Sequence, residues 1–355
     1  MGKTKYPLIR FTSNRTLEEA ERIFAARISD ARMIWKKYNA TFVNRVCPIC
    51  GSAASEPADS FYDTFTVEIC IICNTPFVNP APGEEALQYY YQNGTSIKIV
   101  NQLLKKRSKD NKHFIVDDRL KVVLDQIALI KPGYQALNIL EIGCNQGSFL
   151  SNLRLKLLQR YPLYKFNLTG IDIDKEALSL NNDPDITLLQ ESAESLTNKL
   201  QWLDHFDLII CFELIEHLVD PSDFMNNVRK ILKNEGTLIL TTPNYEGLEI
   251  KAASYNNYRL LSHTVFPPFH LNSFSTFNFT HFSLRNRFAI VRIETPGKLD
   301  VDLVSLYSRN SSTVEEVFCE IDLLDEKMKG WLQALITKLK VSSNMLVVLK
   351  KNNQI

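Results

Sequence analysis

Short apolar segments alternate with helical segments from Ala136 onward, and this alternation restricts the chain to a small set of folds. Each apolar segment has the length of a strand and carries almost no charge, which indicates burial on both faces. Buried strands that alternate with helices form a parallel sheet with helices packed on both sides. Seven strands are expected, at residues 138–142, 166–171, 186–189, 206–211, 236–241, 288–294 and 345–349. The sequence therefore predicts a doubly wound α/β fold.

Two cysteine pairs precede this region. Cys47 and Cys50 enclose two residues, Cys70 and Cys73 enclose two more, and residues 51–69 separate the pairs. Two Cys-x-x-Cys pairs at this spacing are typical of a tetrahedral zinc site, and four thiolate ligands leave no open coordination position. We therefore expect a structural Zn²⁺ ion. Buried or disulfide-paired cysteines are the alternative.

The charge is close to balanced overall but uneven along the chain. Lys and Arg number 41 and Asp and Glu number 40, so the formal net charge is +1. The net charge is +6 over residues 1–45, −6 over residues 46–93 and +5 over residues 94–131. These shifts predict a helical N-terminal extension (1–45), a zinc ribbon (46–93) and a large domain (94–355) with a helical lead-in (94–131). Phosphate binding requires cations, so the acidic ribbon argues against a nucleic-acid partner.

No apolar run approaches the roughly 18 residues that a membrane span requires. The longest, residues 206–212, has the length of a strand and contains Asp207. The first residues lack the apolar core of a signal peptide, and seven cysteines form an odd set. We therefore expect a soluble cytoplasmic protein with reduced thiols.

A glycine-containing turn follows the first predicted strand of the large domain. The segment 138–149 reads Asn-Ile-Leu-Glu-Ile-Gly-Cys-Asn-Gln-Gly-Ser-Phe, and Asp172 follows the second strand. A turn between strand and helix lets a cofactor approach the backbone, and an acid after the second strand can bind ribose hydroxyls. NAD is the alternative cofactor, but Gly143 and Gly147 with Asn145 between them do not form its Gly-x-Gly-x-x-Gly motif.

Together these segments resemble the class I S-adenosylmethionine-dependent methyltransferases over residues 136–295. The motifs that carry the resemblance are Glu141-Ile-Gly-Cys144, Gly170-Ile-Asp172, Glu216-His-Leu218 and Gly236-Thr-Leu with Thr241-Thr-Pro-Asn244. The ribbon, with Asn79-Pro-Ala-Pro82 and Tyr89-Tyr-Tyr91, is similar to a subgroup with an N-terminal zinc-binding module, common among enzymes that methylate sugars of polysaccharides and natural products. The resemblance implies a Rossmann-like, mostly parallel seven-stranded sheet and the cofactor S-adenosylmethionine.

The resemblance also implies the cofactor-binding residues. Glu141, Gly143, Cys144 and Gly147 would shape the pocket for the methionine part, Asp172 would bind the ribose, Ile173 and Ala193 would contact the adenine, and Phe212 would line the methyl side. Two positions depart from the family pattern: Asn145 stands where the middle glycine is usual, and Ser192 where an acid often contacts the adenine amine.

The candidate catalytic residues are His270, His217 and Glu213. His270 lies in a Phe-Pro-Pro-Phe-His segment that resembles the base-bearing stretch of sugar methyltransferases, with Phe269 in place of an orienting carboxylate. If a helical turn begins after the fourth strand, Glu213 and His217 share one face. A structural role at this turn is the alternative that we favour, and a divalent metal at Glu213, Glu216 and His217 is a further one.

We predict an enzyme that methylates a hydroxyl or carbon of a sugar or other small molecule in polysaccharide or natural-product synthesis. Residues 245–285 would form a lid over the acceptor, with aromatic and basic side chains at Tyr245, Tyr255, Tyr258, Arg259 and Phe266. An RNA methyltransferase guided by the ribbon, favoured by the basic flanks, is one alternative. A binding protein that keeps the fold without catalysis is another.

Overall fold

The structure is a computed structural model, and it describes residues 17–108, 114–130, 136–248, 250, 265–297, 300–302, 304–305, 318 and 320–352. None of the helices in these ranges combines the length and the apolar character needed to cross a bilayer. The chain begins, within the described part, with helix α1 (Leu17–Tyr38), where the sequence predicts a helix over 16–38.

The cysteine-rich segment forms a small three-stranded antiparallel sheet. Its strands are β1 (Ser55–Phe61), β2 (Phe65–Cys70) and β3 (Pro76–Val78), in the order β1-β2-β3. Three helices follow and lead into the large domain: α2 (Glu84–Asn93), α3 (Thr95–Ser108) and α4 (Phe114–Leu129).

The large domain contains the predicted seven-stranded sheet. Its strands are β4 (Leu137–Ile142), β5 (Phe166–Asp172), β6 (Ile186–Gln190), β7 (Phe206–Phe212), β8 (Leu232–Pro243), β9 (Phe288–Glu294) and β10 (Asn344–Lys351). The strand order is β6-β5-β4-β7-β8-β10-β9, and only β10 runs antiparallel to its neighbours. The carboxyl ends of β4, β5 and β7 therefore meet at one edge of the sheet, where the predicted cofactor residues lie.

Helices cover the sheet on both sides. They are α5 (Ser148–Arg160), α6 (Lys175–Leu178), α7 (Pro221–Ile231), α8 (Thr276–Arg285) and α9 (Glu326–Lys338). The sequence predicts a long helix near residues 314–339, and α9 forms only its C-terminal part. The Asp325 side chain accepts a hydrogen bond from the Met328 amide and caps the start of α9, which follows a 3₁₀ turn at Glu320–Leu323. Residues 314–317 lie outside the described part.

The ribbon and the large domain share one hydrophobic core. Ile49 and Phe77 of the ribbon pack in the same buried cluster as Phe274, Phe279 and Phe282. The second sheet face packs separately against α4 and α5, through residues such as Val123 and Leu150. The antiparallel bridge between Phe77 and Asn272 continues the ribbon sheet onto the chain that precedes α8.

Candidate functional site

The predicted cofactor loop connects β4 to α5 in a left-handed conformation. Gly143, Asn145 and Gly147 have φ values of +75°, +50° and +66°. Asn145 tolerates this conformation because the short polar side chain of asparagine can form local hydrogen bonds. A Cβ atom on Gly147 would come within 2.9 Å of Asn181 Nδ2, so the loop requires glycine there for space as well as for φ. The loop amides of Gly143 and Cys144 both donate to the carbonyl of Ile171 and fix the loop against β5.

Glu141 lies at the end of β4 with its carboxyl group buried. The residue is 4% exposed, and Oε2 has no hydrogen-bond partner among the residues that the structure describes. Burial raises the pKa of Glu141 to about 8, with Arg119 opposing and Asp172 adding to the shift. A buried carboxyl oxygen without a partner fits a ligand that brings a cation or a donor, such as the ammonium group of an amino acid.

Asp172 ends β5 beside the loop. Its Oδ2 accepts a hydrogen bond from the Asn145 amide at 2.8 Å, and its Oδ1 accepts one from the Asp174 amide at 2.9 Å. Burial raises its pKa against the opposing effect of these hydrogen bonds. Two other predicted cofactor residues differ in exposure, since Ile173 is 48% exposed and Ala193 is buried. A small pocket opens here, lined by Asn101, Asn145, Gln146, Asp174, Glu176 and Ala177.

Phe212 and Glu213 follow at the end of β7. The Arg119 guanidinium lies 4.6 Å from the centroid of the Phe212 ring and donates to Glu213 Oε1 at 2.8 Å. The same oxygen accepts from the Thr241 hydroxyl at 2.6 Å and from the side-chain Nδ2 of Asn344 at 3.2 Å. Glu213 is therefore held by three donors from α4, β8 and β10.

The expectation that Glu213 and His217 share a helical face is wrong. The turn is a 3₁₀ helix at Ile215–His217, and Glu213 precedes it with φ +52°. A 3₁₀ turn brings residues three apart into line rather than four apart, and the left-handed residue redirects the chain before the turn begins. The structure instead places His217 next to His270, with ring centroids 4.6 Å apart.

Glu216, His217 and His270 form a cluster in which Glu216 and His270 are buried and His217 is partly exposed. One ligand atom from each lies within 4.8 Å of those of the other two. Glu216 Oε2 accepts from the Thr242 hydroxyl at 2.9 Å, while Oε1 lies 3.9 Å from His217 Nε2 and has no hydrogen-bond partner in the described chain. Burial raises the pKa of Glu216 well above its ordinary value, and the Glu213 charge adds to the shift.

A hydrogen bond to the backbone fixes which ring nitrogen of His217 carries the proton. Its Nδ1 lies 2.6 Å from the carbonyl oxygen of Phe269, and a carbonyl can only accept, so Nδ1 carries the ring proton. Nε2 then holds the lone pair. Burial lowers the pKa of His217 to about 4, with the backbone contact at Phe269 opposing the shift. The ring is therefore neutral at neutral pH.

A buried arginine that the sequence did not indicate lies on the aromatic rings beside this cluster. Arg27 of α1 is 4% exposed, and its guanidinium lies 4.2 Å from the Phe269 ring centroid and 4.9 Å from that of Phe266. Burial lowers the pKa of Arg27. In the sequence, Arg27 could have been noticed only as a charged residue on the side of α1 that otherwise carries apolar residues.

Part of the predicted lid can be placed. Phe266 is 2% exposed in an aromatic cluster with Phe61 and Phe24, so it packs in the core. The Tyr245 hydroxyl donates to the carbonyl of Asn74 in the ribbon. Tyr255, Tyr258 and Arg259 lie outside the described residues.

The four ribbon cysteines converge as predicted. Cys47 Sγ lies 3.5 Å from Cys73 Sγ, and Cys50 Sγ lies 3.5 Å from Cys70 Sγ. A disulfide requires about 2.05 Å, whereas thiolates around one Zn²⁺ ion at about 2.3 Å stand roughly 3.8 Å apart. All four sulfur atoms lie within 4.8 Å of one another, so the geometry fits a single tetrahedral ion.

The chain belongs to the methyltransferase domain family, whose model matches residues 88–284. It is 31% identical over 138 residues to a ubiquinone biosynthesis O-methyltransferase of Rickettsia bellii, covering 37% of this chain and 52% of that protein. It is 27% identical over 112 residues to the protein of the same name from Proteus mirabilis, covering 30% and 42%. The chain thus spans about half the length of the curated relatives it matches.

Among solved structures, the plantazolicin methyltransferase BpumL in complex with a desmethylPZN analogue and SAH is similar to 75% of this chain, with 94% of its own length covered, a TM-score of 0.45 and 15% identity. A SAM-dependent methyltransferase from Archaeoglobus fulgidus is similar to 70% of the chain, with 99% of its own length covered, a TM-score of 0.43 and 16% identity.

Proposed function

We propose that this chain is an S-adenosylmethionine-dependent methyltransferase that methylates a small-molecule acceptor, a sugar hydroxyl or carbon in polysaccharide or natural-product synthesis. The observation that carries the proposal is the carboxyl edge of the sheet, where the glycine loop, Asp172 and the unpartnered carboxyl oxygen of Glu141 meet. The family match and the relatives named O-methyltransferase support the same activity.

The residues present fit the cofactor. Glu141 would accept the ammonium group of the methionine part, with Gly143, Cys144 and Gly147 forming the backbone wall beside it. Asp172 would accept ribose hydroxyls, and Ile173, Ala193 and Phe212 would surround the adenine and the methyl side. S-adenosylmethionine, when bound, supplies an electrophilic methyl group on a sulfonium sulfur.

The chain's own contribution on the acceptor side is to orient the acceptor and remove its proton. His270 is the first candidate base, and neutral His217 beside it, with its lone pair on Nε2, is the second. Glu213 acts indirectly, since Arg119, Thr241 and Asn344 hold its carboxylate.

The ribbon cysteines Cys47, Cys50, Cys70 and Cys73 fit a structural Zn²⁺ ion, as in the subgroup with an N-terminal zinc-binding module. We place the helical extension at 1–45, the ribbon at 46–93 and the methyltransferase domain at 94–355. A cytoplasmic location, where thiols stay reduced, is part of the proposal.

Calorimetric titration with S-adenosylmethionine, beside NAD, tests the cofactor. We expect micromolar binding of S-adenosylmethionine alone and its loss in Asp172→Ala. Asp172→Asn, which keeps one side-chain oxygen and the residue's shape, separates loss of the charge from loss of the loop contact. Failure of the zinc-loaded chain to bind S-adenosylmethionine would favour the non-catalytic alternative, and binding of NAD would overturn the cofactor assignment.

An acceptor screen then follows with radiolabelled S-adenosylmethionine. Nucleotide sugars and other polyhydroxylated small molecules form one set, and total RNA forms the other. Methyl transfer to RNA alone would replace the proposed acceptor class with the ribbon-guided RNA alternative.

A further inference from the structure

Arg45 lies two residues before the first zinc-binding cysteine, yet its side chain reaches three other segments of the molecule. Its Nε donates to the Val78 carbonyl in β3 at 2.9 Å. Its Nη1 donates to the Val219 carbonyl at 2.8 Å, and its Nη2 donates to the Leu271 carbonyl at 2.8 Å. Nη1 also donates to Asn272 Oδ1 at 2.9 Å. One guanidinium therefore joins the ribbon to both chain segments that carry the candidate bases.

Those two segments also bind each other directly next to Arg45. The backbone amides of Leu271 and Asn272 donate to the Glu216 carbonyl at 2.8 and 3.1 Å, and Asn272 Nδ2 donates to the Leu218 carbonyl at 2.7 Å. The Asn272 side chain thus links Arg45 to the end of the 3₁₀ turn that carries His217. His270 immediately precedes the pair of residues held in this way.

The ribbon fixes Arg45 from its own side. The backbone amide of Arg45 donates to Asn79 Oδ1 at 2.9 Å, and Asn79 Nδ2 donates to Glu68 Oε2 at 2.9 Å. Val78 additionally donates its amide to the Leu271 carbonyl at 2.9 Å. The Arg45 guanidinium is therefore held between the three-stranded sheet of the ribbon and the segment that carries His270.

The chemistry of this contact requires arginine. The Arg45 side chain donates to three backbone carbonyls and to the Asn272 side-chain oxygen from three different nitrogen atoms. A planar guanidinium can direct several N–H donors at separate acceptors at once, whereas a lysine ammonium offers a compact point charge. Loss of the guanidinium would remove a donor from the Val78, Val219 and Leu271 carbonyls, of which Leu271 keeps the Val78 amide as a donor.

We propose that Arg45 is a positioning residue that sets the relation between His217 and His270, so that the ribbon forms part of the acceptor side of the site. The role in methyl transfer rests on the function proposed above; the structural link between Arg45 and the two histidines does not. Arg45 touches neither ring and acts through Val219, Leu271 and Asn272.

The test uses the ring nitrogens of the histidines as the readout. The full-length, zinc-loaded chain is labelled with ¹⁵N-histidine, and long-range ¹H–¹⁵N spectra report the tautomer and the titration of each ring. Six histidines are present, and His217→Gln and His270→Gln assign the two signals of interest. Arg45→Met is compared with Arg285→Met, because Arg285 also joins the large domain to the ribbon, donating to the Ile49 carbonyl at 3.1 Å, but lies on α8 away from the His270 segment.

In the wild type we expect His217 to be the Nδ1-protonated tautomer and to stay neutral well below pH 6. In Arg45→Met the His270 segment relaxes, water reaches the ring, and the titration midpoint of His217 rises by at least one pH unit, with mixed tautomers. Arg285→Met should lower the melting temperature and leave both histidine signals unchanged. A folded, zinc-loaded Arg45→Met variant with wild-type histidine signals would overturn the proposal, as would an equal change in Arg285→Met.

Arg45→Lys keeps the charge and serves if Arg45→Met does not fold. Lysine replaces only part of the donor set, so a smaller change in the same direction is expected, and wild-type signals in this variant would also overturn the proposal. The readout needs neither cofactor nor acceptor. A chain that fails to bind S-adenosylmethionine but shows the histidine change would therefore refute the proposed function and leave the positioning role intact.

Discussion

Glu141 shows at the scale of one residue how burial prepares a group for a ligand. Its carboxyl group is 4% exposed, and one oxygen lacks a partner in the described chain. Burial raises its pKa to about 8, so the free protein holds it mostly protonated at pH 7. A bound ammonium group would favour the ionised form.

We therefore expect S-adenosylmethionine binding to release a proton from Glu141. Affinity should rise as the pH increases from 6 to about 8, by at most about tenfold per pH unit, and then level off, because above pH 8 the carboxylate is already ionised. Calorimetry in two buffers of different ionisation enthalpy measures the released proton. Glu141→Gln should bind more weakly and without this pH dependence.

The same pKa has a consequence for stability with a definite sign. Because the folded-state pKa lies above the ordinary value of 4.5, protonation favours the folded chain. The contribution of Glu141 is complete below about pH 4.5 and is lost as the pH rises towards 8. In the cofactor-free protein, Glu141→Gln should remove this loss, so its stability relative to wild type should improve between pH 5 and 8 in urea unfolding. A constant difference over this pH range would contradict the assigned pKa.

At the scale of elements, helix α3 begins against a side chain from another helix. Asp30 of α1 accepts hydrogen bonds from the Thr95 amide at 2.9 Å and from the Ser96 amide at 2.8 Å. The Ser96 hydroxyl donates to the same carboxylate at 2.6 Å. Asp30 therefore does for α3 what an N-cap residue does from within a helix.

Asp30→Ala should lower the free energy of unfolding by about 1–3 kcal/mol, because it leaves buried donors unsatisfied. Hydrogen exchange at the first turn of α3 should become faster. Glu85→Ala removes an exposed acid from the first turn of α2 and is the matched control, expected to cost about 0.3–1 kcal/mol. Equal effects of the two variants would show that Asp30 contributes only through its charge.

The cysteine turns of the ribbon provide a second test at this scale. Cys47→Ser removes one thiolate, so the zinc content should fall from about one ion per chain to well below one, and the melting temperature and solubility should fall with it. Cys211→Ser also alters a fully buried cysteine but lies in β7, outside the four-sulfur cluster. It should keep its zinc. Unchanged zinc content and melting in Cys47→Ser would show that the four-thiolate site is wrong.

The whole molecule is bound together across the junction between the ribbon and the large domain. Ile49, Phe77 and Phe274 belong to one buried cluster, and Asn278 Nδ2 donates to Thr75 Oγ1 at 3.1 Å across the same junction. Because the core is shared, unfolding of either part alone would expose apolar surface on the other part. That exposure raises the free energy needed to unfold one part independently.

We expect the zinc-loaded chain to melt in one calorimetric transition, and chelation of zinc to lower that transition as a whole. Zinc binding stabilises only the folded chain, so its removal lowers the melting temperature, by roughly 2 °C for each kcal/mol lost in a chain of this size. Readdition of zinc after chelation should restore the original melting temperature. A separate low-temperature transition, with the main transition unmoved, would show that the ribbon unfolds alone.

The sequence by itself determined the features that depend on local pattern. Apolar segments of strand length indicated all seven strands. The reasoning from burial on both faces applies to central strands such as β7 and β8, whereas the edge strands β6 and β9 are partly exposed. The glycine-containing segment after the first strand of the large domain indicated the loop at the candidate cofactor site, and two Cys-x-x-Cys pairs indicated the four-sulfur cluster. Each depends on a few consecutive residues whose chemistry allows few conformations.

Only the tertiary structure decided which distant residues meet. Phe269 accepts a hydrogen bond from His217 at a separation of 52 residues, and Arg45 reaches Asn272 across 227. The sequence also suggested a helical face shared by Glu213 and His217, which the 3₁₀ turn does not form. Such contacts depend on how whole elements pack. A long polar side chain can hydrogen-bond to many different groups, and the packing of the elements decides which of them lies within reach.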